Sequence, residues 1–225
     1  MIVVKKLTKN ILTFTAEHRY LGLEFGCRMT AIRLKNGDVI LHSPVALDDD
    51  AIAELNQFGI VRHIIAPSLF HFTYLETCIK AFPEAQVYGV KGLQKKVPNL
   101  IFQRLDDYDY NFAWKDELNH FCLLGMPTVN ETVFYHYDDK TLIVTDLLFN
   151  VSNKTGWTKF VFTLYGVYNK LATTFLFKSL IINKPIFKKD IDYLKTLPLD
   201  HLILAHGDTI SEQAQERFHT ALEWV

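Results

Sequence analysis

Cysteine is scarce in this sequence of 225 residues, and the motifs usually built from it are absent. The three cysteines, Cys27, Cys78 and Cys122, lie far apart, and no two of them have the CxxC spacing of metal-binding or redox motifs. An odd number of widely spaced cysteines argues against a disulfide scaffold and favours a reducing compartment. The Gly-x-Ser-x-Gly motif that activates a serine nucleophile is also missing.

Long apolar runs and a strong net charge are lacking as well. No uninterrupted apolar stretch reaches the roughly 18–20 residues of a membrane span. Lys5 and Lys6 follow the apolar residues at the N-terminus, whereas a secretory signal places its positive charges first. The formal net charge of −1 gives no electrostatic reason to expect a nucleic-acid partner. We therefore expect a soluble, cytoplasmic protein without a transmembrane segment.

What the sequence does contain is the pattern of an ordinary globular protein. The hydrophobic fraction of 49% and the charged fraction of 22% are typical of a folded domain. There are no internal repeats and no evident linkers, so we predict a single domain over residues 1–225. Residues 150–187 are rich in aromatic side chains with lysines between them, and they predict a helical insertion. We interpret the insertion as a capping subdomain, with a membrane-surface face or a homodimer face as alternatives.

Short, apolar, β-branched runs predict strands, and several of them end at a histidine or an acid. Thr141–Val144 is followed by Asp146, and a strand predicted over residues 200–204 is followed by His206. Other polar residues near predicted strand ends are His42, His71 and Glu131. The sequence also predicts a hairpin turn at Asn36-Gly37-Asp38. Helices are predicted over residues 48–59, 68–85, 188–197 and 211–224, and further strands over residues 1–14 and 100–102.

Histidines and carboxylates at converging strand ends predict a metal site. Imidazoles combined with carboxylates are ligands for zinc, iron or manganese, and a bound ion activates water or polarises a substrate oxygen. The alternative for Asp146 is a helix or turn cap. His63 lies inside a predicted strand, and we interpret it as a core or edge residue.

Several blocks of the chain resemble one family when they are taken together. The blocks are His42-Ser43-Pro44, Pro67 to His71, Gly125-Met126-Pro127 followed by Glu131, Thr141 to Asn150, and Ala205-His206-Gly207. They resemble the DUF4336 family, a divergent branch of the metallo-β-lactamase fold superfamily. The resemblance implies an α+β fold, arranged as a four-layer αββα sandwich with the aromatic-rich helical insertion.

The resemblance also implies a chemistry. The superfamily hydrolyses esters, thioesters, lactams or phosphodiesters with one or two metal ions. Met126 stands where the superfamily has a histidine, and the first loop keeps only His71. The resemblance thus favours one zinc, iron or manganese ion over a full dinuclear zinc site. The implied ligands are His71, Asp146 and His206, with His42 or Glu131 in addition.

Three functions remain open on the sequence. The first is a mononuclear metal-dependent hydrolase acting on a small-molecule substrate. The second is a degenerate, non-catalytic member that works as a binding or scaffold protein, with a homodimer through the aromatic insertion as one form. The third is a metal-free hydrolase in which histidine and glutamate serve as base and acid.

Overall fold

The computed structural model describes residues 2–225. Its two main sheets have seven and four strands, and a third sheet has two. The chain forms two compact units. The first comprises Met1–Glu17 and Cys27–Glu117, and the second comprises His18–Gly26 and Leu118–Val225. The interpretation as a single domain over residues 1–225 stays a prediction.

The regular elements alternate along the chain. The strands are β1 (Val3–Lys6), β2 (Ile11–Ala16), β3 (Arg19–Tyr20), β4 (Leu23–Glu24), β5 (Cys27–Arg33), β6 (Asp38–His42), β7 (Ile60–Ala66), β8 (Gln86–Gly89), β9 (Gln103–Arg104), β10 (Leu118–Cys122), β11 (Thr132–His136), β12 (Thr141–Val144) and β13 (His201–Leu204). The helices are α1 (Asp49–Phe58), α2 (Leu75–Ala81), α3 (Gly156–Leu164), α4 (Phe175–Ser179), α5 (Lys184–Lys195) and α6 (Ala214–Ala221), with a 3₁₀ turn at Leu93–Lys95. None of the helices in the described part of the chain has the length and apolar character needed to cross a membrane.

A seven-stranded sheet forms the first unit, in the order β1-β2-β5-β6-β7-β8-β9. The strands from β1 to β6 pair antiparallel, and those from β6 to β9 pair parallel. The Asn36-Gly37-Asp38 turn makes the β5–β6 hairpin as predicted, with Gly37 at φ +90°. The change to parallel pairing requires a crossover, which α1 supplies. The Asp48 side chain caps α1 by accepting the N–H of Ala51 at 3.0 Å. The carboxyl ends of β6 and β7 therefore lie at one edge.

The second unit contains a four-stranded sheet, β10-β11-β12-β13, and the separate β3–β4 hairpin. In the four-stranded sheet, β10 pairs antiparallel with β11 and β11 with β12. Strands β12 and β13 run parallel and are joined by the segment that holds α3, α4 and α5. In that parallel pair Val144 lies opposite Leu204. Strand β12 is buried over its whole length, as its apolar sequence predicts.

Several predicted boundaries were wrong. The helix expected over residues 68–85 is only α2, because the Ser68 hydroxyl accepts the N–H groups of Phe70 and His71 at 3.2 Å and holds a turn there. The strand expected over residues 100–102 is replaced by β9, two residues long and further along the chain. The single strand expected over residues 1–14 is the β1–β2 hairpin in its described part, with Met1 outside the described residues.

The aromatic insertion is helical only in part. Helices α3 and α4 fall inside residues 150–187. Isolated β-bridges also occur there: they pair Phe149 and Val151, which precede α3, with Ala172 and Tyr168, which lie between α3 and α4. Helix α5 begins at Lys184 instead of at the expected residue 188, because the Asn183 side chain accepts the N–H of Ile186 at 3.2 Å and caps it. The final helix, expected over residues 211–224, is confined to α6.

The acidic, aromatic stretch after β9 packs around His63. Trp114, which is fully buried, meets the His63 ring edge-on at 5.4 Å between centroids, and the Tyr88 hydroxyl lies 3.2 Å from His63 Nδ1. Burial lowers the pKa of His63 below its usual value of 6.5, with a smaller opposing contribution from Asp38. The buried, ring-packed geometry agrees with the interpretation of His63 as a structural residue.

We expect His63 to make the protein less stable in acid. Because the folded state lowers its pKa, the stability is complete above about pH 6.5 and decreases as the pH falls, by up to about 1.4 kcal/mol per pH unit. Urea unfolding at pH 7 and pH 5 should show a smaller decrease for His63→Gln than for the unaltered chain. The same substitution at the half-buried His201 serves as control, and an equal decrease in all three proteins would contradict the assignment.

Candidate metal centre

Asp146 and His206 are brought together by the register of β12 and β13. Val144 and Leu204 are paired at the ends of the two parallel strands, and each site residue follows its strand end by two residues. The equal step places the two side chains next to each other, with His206 Nε2 3.7 Å from Asp146 Oδ1. Both residues are buried, at 8% and 7% exposure. The prediction that these strand ends converge is confirmed for this pair.

The imidazole of His206 is fixed on three sides. Its Nδ1 lies 2.8 Å from the carbonyl oxygen of Gly26. A carbonyl only accepts hydrogen bonds, so Nδ1 carries the proton and Nε2 is the nitrogen turned to Asp146. Phe149 stacks on the ring at 4.8 Å between centroids, and Phe25 meets it edge-on at 5.8 Å. The ring is therefore held in one orientation before any ligand arrives.

Gly207 closes the turn that carries His206. It has φ +92°, and a Cβ at this position would lie 2.1 Å from the carbonyl oxygen of Asn150. The close approach lets the N–H of Asn150 reach the His206 carbonyl at 3.3 Å and the N–H of Asp208 reach the Asn150 carbonyl at 2.9 Å. Glycine is required here by both the backbone angle and the space.

A buried carboxylate holds the turn that carries Asp146. Glu131 has no exposed surface, and its Oε1 accepts the N–H of Thr145 at 2.6 Å. Its Oε2 accepts the N–H groups of Asp146 and Leu147 at 3.1 and 2.9 Å. Hydrogen bonds to a charged acceptor contribute about 1.5–3 kcal/mol each. Glu131 as a metal ligand stays a prediction, and what the geometry shows is a carboxylate that supports the Asp146 backbone.

The first unit has its own polar group at the edge formed by β6 and β7. The Ser43 hydroxyl lies 2.8 Å from Nδ1 of His71, and Ser43 itself has φ +59°. The Ser68 hydroxyl accepts the N–H of His71 and orders the loop before α2. The Ser43 hydroxyl thus contacts Nδ1 of His71, and the Ser68 hydroxyl contacts its backbone N–H. The other ring nitrogen, Nε2, faces away from Ser43.

His42 lies at the end of β6 and is almost completely buried, at 1% exposure. Burial, with a smaller contribution from the charge of His71 and against an opposing backbone hydrogen bond, lowers the pKa of His42 to about 3. His42 is therefore a neutral imidazole at neutral pH. Its role as an additional metal ligand stays a prediction.

The donor chemistry of these residues fits a metal ion. His71, Asp146 and His206 each offer one atom of a kind that binds metals. Two ligands about 2.1 Å from one ion at a tetrahedral angle lie about 3.4 Å apart, close to the 3.7 Å between His206 Nε2 and Asp146 Oδ1. A ligand histidine usually donates its other N–H to a carbonyl or carboxylate, which is what His206 does with Gly26.

Met126 belongs to the apolar core of the second unit. It is 0% exposed and packs with residues such as Leu147 and Phe187, while its carbonyl accepts the N–H groups of Val129 and Asn130. A thioether in an apolar core is a poor ligand for hard divalent ions. The expectation of fewer ligands than a dinuclear zinc site needs stays a prediction.

Sequence reasoning missed the residues that orient the histidines. They are Phe25, Gly26, Ser43 and Phe149, and Ser68 was noted only as a strand end. Gly26 is 180 residues from His206 in the chain, and its contribution is a carbonyl, which every residue has. No sequence signal could have identified it. The Ser43 position carried a weak signal, since it lies in the His42-Ser43-Pro44 block.

A comparison with models of known protein families shows the family to which the chain belongs. A model of the family described as "Domain of unknown function (DUF4336)" matches residues 8–158, about two thirds of the chain. The chain belongs to the DUF4336 family. No curated protein matches this DUF4336 chain significantly.

Solved structures show the fold of this DUF4336 protein. A metallo-β-lactamase from Pontibacter korlensis is similar to it with a TM-score of 0.67 at 14% identity, covering 99% of both chains. A metallo-β-lactamase from Hirschia baltica has a TM-score of 0.62 at 10% identity, covering 98% of this chain and 97% of the other. A metal-soaked flavodiiron core from Synechocystis sp. PCC6803 has a TM-score of 0.69 at 11% identity, covering 99% of this chain and 60% of the other. The expected α+β, metallo-β-lactamase-like fold is confirmed.

Substitution of Gly207 should destabilise the protein strongly. Gly207→Ala combines a left-handed backbone angle with a clash against the Asn150 carbonyl, and we expect a loss of about 3 kcal/mol or more in urea unfolding. Gly37→Ala is the matched control, because Gly37 has φ +90° but open space around its Cβ position. It should lose about 1–2 kcal/mol from the backbone angle alone. Equal losses for the two variants would show that the Asn150 contact is unimportant.

Neutralising Glu131 should loosen the Asp146 turn. Glu131→Gln replaces one acceptor oxygen by an NH₂ group that faces backbone N–H donors, and we expect a loss of about 2–4 kcal/mol in the free energy of unfolding. Glu117→Gln is the control, because Glu117 accepts only the N–H of Lys35 at an exposed site, at 2.9 Å. That variant should change stability by less than about 0.5 kcal/mol. An unchanged stability for Glu131→Gln would refute the supporting role.

Proposed function

We propose that this protein is a metal-dependent hydrolase with a single metal ion held by His71, Asp146 and His206. The observation that carries the proposal is the Asp146–His206 pair, two complementary ligand groups held at adjacent ends of parallel strands. Two histidines and one carboxylate are a recognised ligand set for zinc and for non-haem iron. The metal-soaked flavodiiron core among the similar structures supports a metal in this fold, and the metallo-β-lactamase neighbours support hydrolysis.

The surrounding residues prepare the ligands before the ion binds. The Gly26 carbonyl sets the His206 tautomer so that Nε2 is the available donor, and Phe149 and Phe25 hold the ring. Glu131 fixes the backbone of Asp146 through three N–H groups around the turn. Such supporting contacts typically change metal affinity tenfold to a hundredfold when removed.

A divalent ion in this position would lower the pKa of a bound water and polarise a substrate carbonyl or phosphoryl oxygen. The chain's own contribution is to hold the donors rigidly and to keep their surroundings largely apolar. Asp146 supplies negative charge beside the ion, and His206 supplies a neutral donor. We propose His42 and Glu131 as supporting residues outside the ligand set, since His42 is deeply buried and Glu131 is engaged with the backbone.

A non-catalytic binding or scaffold protein is the second candidate. The burial of Met126 in the apolar core favours it, because a position that carries a ligand in the superfamily serves packing here. The two candidates differ in one measurable property. The hydrolase needs a metal bound at the Asp146–His206 pair, and the scaffold does not.

Metal content should decide between them. We expect protein purified without an affinity tag to hold about one equivalent of zinc, iron or manganese by inductively coupled plasma mass spectrometry. His206→Ala should reduce this below about a tenth of an equivalent, because it removes a ligand. Chelation should lower the melting temperature of the unaltered protein and leave that of His206→Ala unchanged, since a bound metal stabilises only the folded state.

His201→Ala is the matched control. His201 is half-buried at the opposite end of β13 and bonds Ser211 at 2.9 Å, so its removal should leave metal content unchanged. Hydrolysis of p-nitrophenyl acetate and bis-p-nitrophenyl phosphate then tests catalysis separately. Metal content that is negligible, or that does not respond to His206→Ala, would exclude the metal-dependent hydrolase. A bound metal without hydrolysis of either compound would leave a metal-binding, non-catalytic protein.

A further inference from the structure

The segment between Asp146 and Asp190 has an unusual charge. Residues 147–189 contain seven lysines and no aspartate, glutamate or arginine. The rest of the chain has 17 basic and 25 acidic residues, so this segment has a net charge of +7 within a protein whose net charge is −1. This uneven distribution is a property that neither the fold nor the candidate metal centre requires.

The same segment exposes large apolar side chains. Seven of the eighteen exposed large hydrophobic residues of the described chain fall within residues 157–186. They are Trp157, Phe160, Leu164, Phe175, Leu176, Ile182 and Ile186. Scattered exposed apolar residues need no explanation, but such a concentration marks an interaction surface.

Helix α3 is apolar on two faces, and only one of them is covered. Val161 and Phe162 are buried, and Phe162 belongs to the cluster around Phe149. Trp157, Phe160 and Leu164 follow the i, i+3, i+7 spacing of a single stripe, and all three are at least 60% exposed. Folding of the second unit therefore does not account for the stripe.

Another exposed aromatic residue lies near the end of α3. A Cβ on Gly166, just past the end of α3, would lie 3.5 Å from the ring of Phe175, the first residue of α4. Phe175 is 65% exposed. We call Trp157, Phe160, Leu164 and Phe175 the tryptophan face.

Lysines lie on the same two helices as the tryptophan face. Lys159 is exposed on α3, with its Nζ 5.5 Å from the centre of the Tyr168 ring. Lys178 on α4 lies over the rings of Trp224, at 4.3 Å, and of Phe175, at 5.9 Å. Burial and the charge of nearby Lys170 lower the pKa of Lys178, so positive groups are crowded here. Aromatic and leucine side chains beside lysines are the composition of peptides that lie in a membrane interface.

We propose that the tryptophan face and its lysines dock this protein on an anionic lipid bilayer. Charge complementarity decides the occupant, because a lysine-rich segment with no acidic residue of its own is attracted to negative headgroups while its rings enter the boundary of the acyl chains. Lys154 of this segment pairs with Glu24, and Lys188 pairs with Asp192. A second copy of the chain is disfavoured as the occupant. A two-fold interface would bring the same lysines together without any carboxylate from this segment to neutralise them. This docking is independent of the metal centre.

Vesicle flotation tests the proposal with the full chain. We expect binding to phosphatidylcholine vesicles that contain about one third phosphatidylglycerol, and at least about tenfold weaker binding to pure phosphatidylcholine vesicles. Binding should weaken as salt increases from about 0.05 to 0.5 M, because the attraction is screened. Trp157 should report insertion by a blue shift of fluorescence that is smaller in Trp157→Phe, because that variant keeps only the fully buried Trp114 and the 38% exposed Trp224.

Two matched pairs of variants locate the surface. Trp157→Ser combined with Phe160→Ser should weaken binding to the anionic vesicles at least about tenfold. Ile101→Ser combined with Tyr108→Ser, two even more exposed positions in the first unit, should not. Lys159→Glu combined with Lys170→Glu should also weaken binding at least about tenfold, and Lys5→Glu combined with Lys6→Glu should not, although both pairs change the net charge equally. The charge variants leave the apolar side chains intact, so they test the surface even if the serine variant folds poorly.

Two results would overturn the proposal. One is an absence of binding to anionic vesicles at low salt, or binding that both surface variants retain. The other is dimerisation in analytical ultracentrifugation that Trp157→Ser with Phe160→Ser abolishes, in a protein that ignores vesicles. The second result would identify another copy of the chain as the occupant.

Discussion

The turn that carries Asp146 depends on one buried carboxylate. Glu131 has no exposed surface and accepts three successive backbone N–H groups after β12, which would otherwise be buried without partners. An ionised carboxylate is costly to bury unless several donors meet it, and the turn supplies those donors. Each side therefore stabilises the other. These hydrogen bonds fix the backbone of the turn after β12, and so they fix the position of Asp146.

The second constraint is the parallel pairing of β12 and β13. Equal two-residue steps from Val144 and Leu204 bring Asp146 and His206 side by side. The turn beyond His206 can then close only because Gly207 lets the Asn150 backbone approach to contact distance. Ring contacts from Phe149 and Phe25 and the Gly26 carbonyl complete the support of His206. The donors are preorganised by the fold, which is the condition that tight metal binding requires.

The Asp146–His206 pair and the tryptophan face use different elements of the second unit. The candidate metal centre uses strand ends and buried supporting contacts, whereas the tryptophan face uses exposed side chains of α3 and α4. A charged, apolar surface on a helical segment can be altered without disturbing β12 or β13. This separation allows the proposed metal centre and the proposed docking surface to be tested independently in one chain.

The sequence by itself determined most of the strands, the hairpin turn, the resemblance to the family and the residue types of the candidate site. Apolar β-branched runs such as Thr141–Val144 and Ile60–Ala66 specify strands locally, and Asp146 and His206 stand out because polar groups follow those runs. Only the tertiary structure decided the length of α2, the supporting role of Glu131 and the partner of His206. The Ser68 turn competes with helix formation through side-chain hydrogen bonds. The Gly26 carbonyl acts from 180 residues away. Such effects depend on which segments meet in space, and local sequence does not encode them.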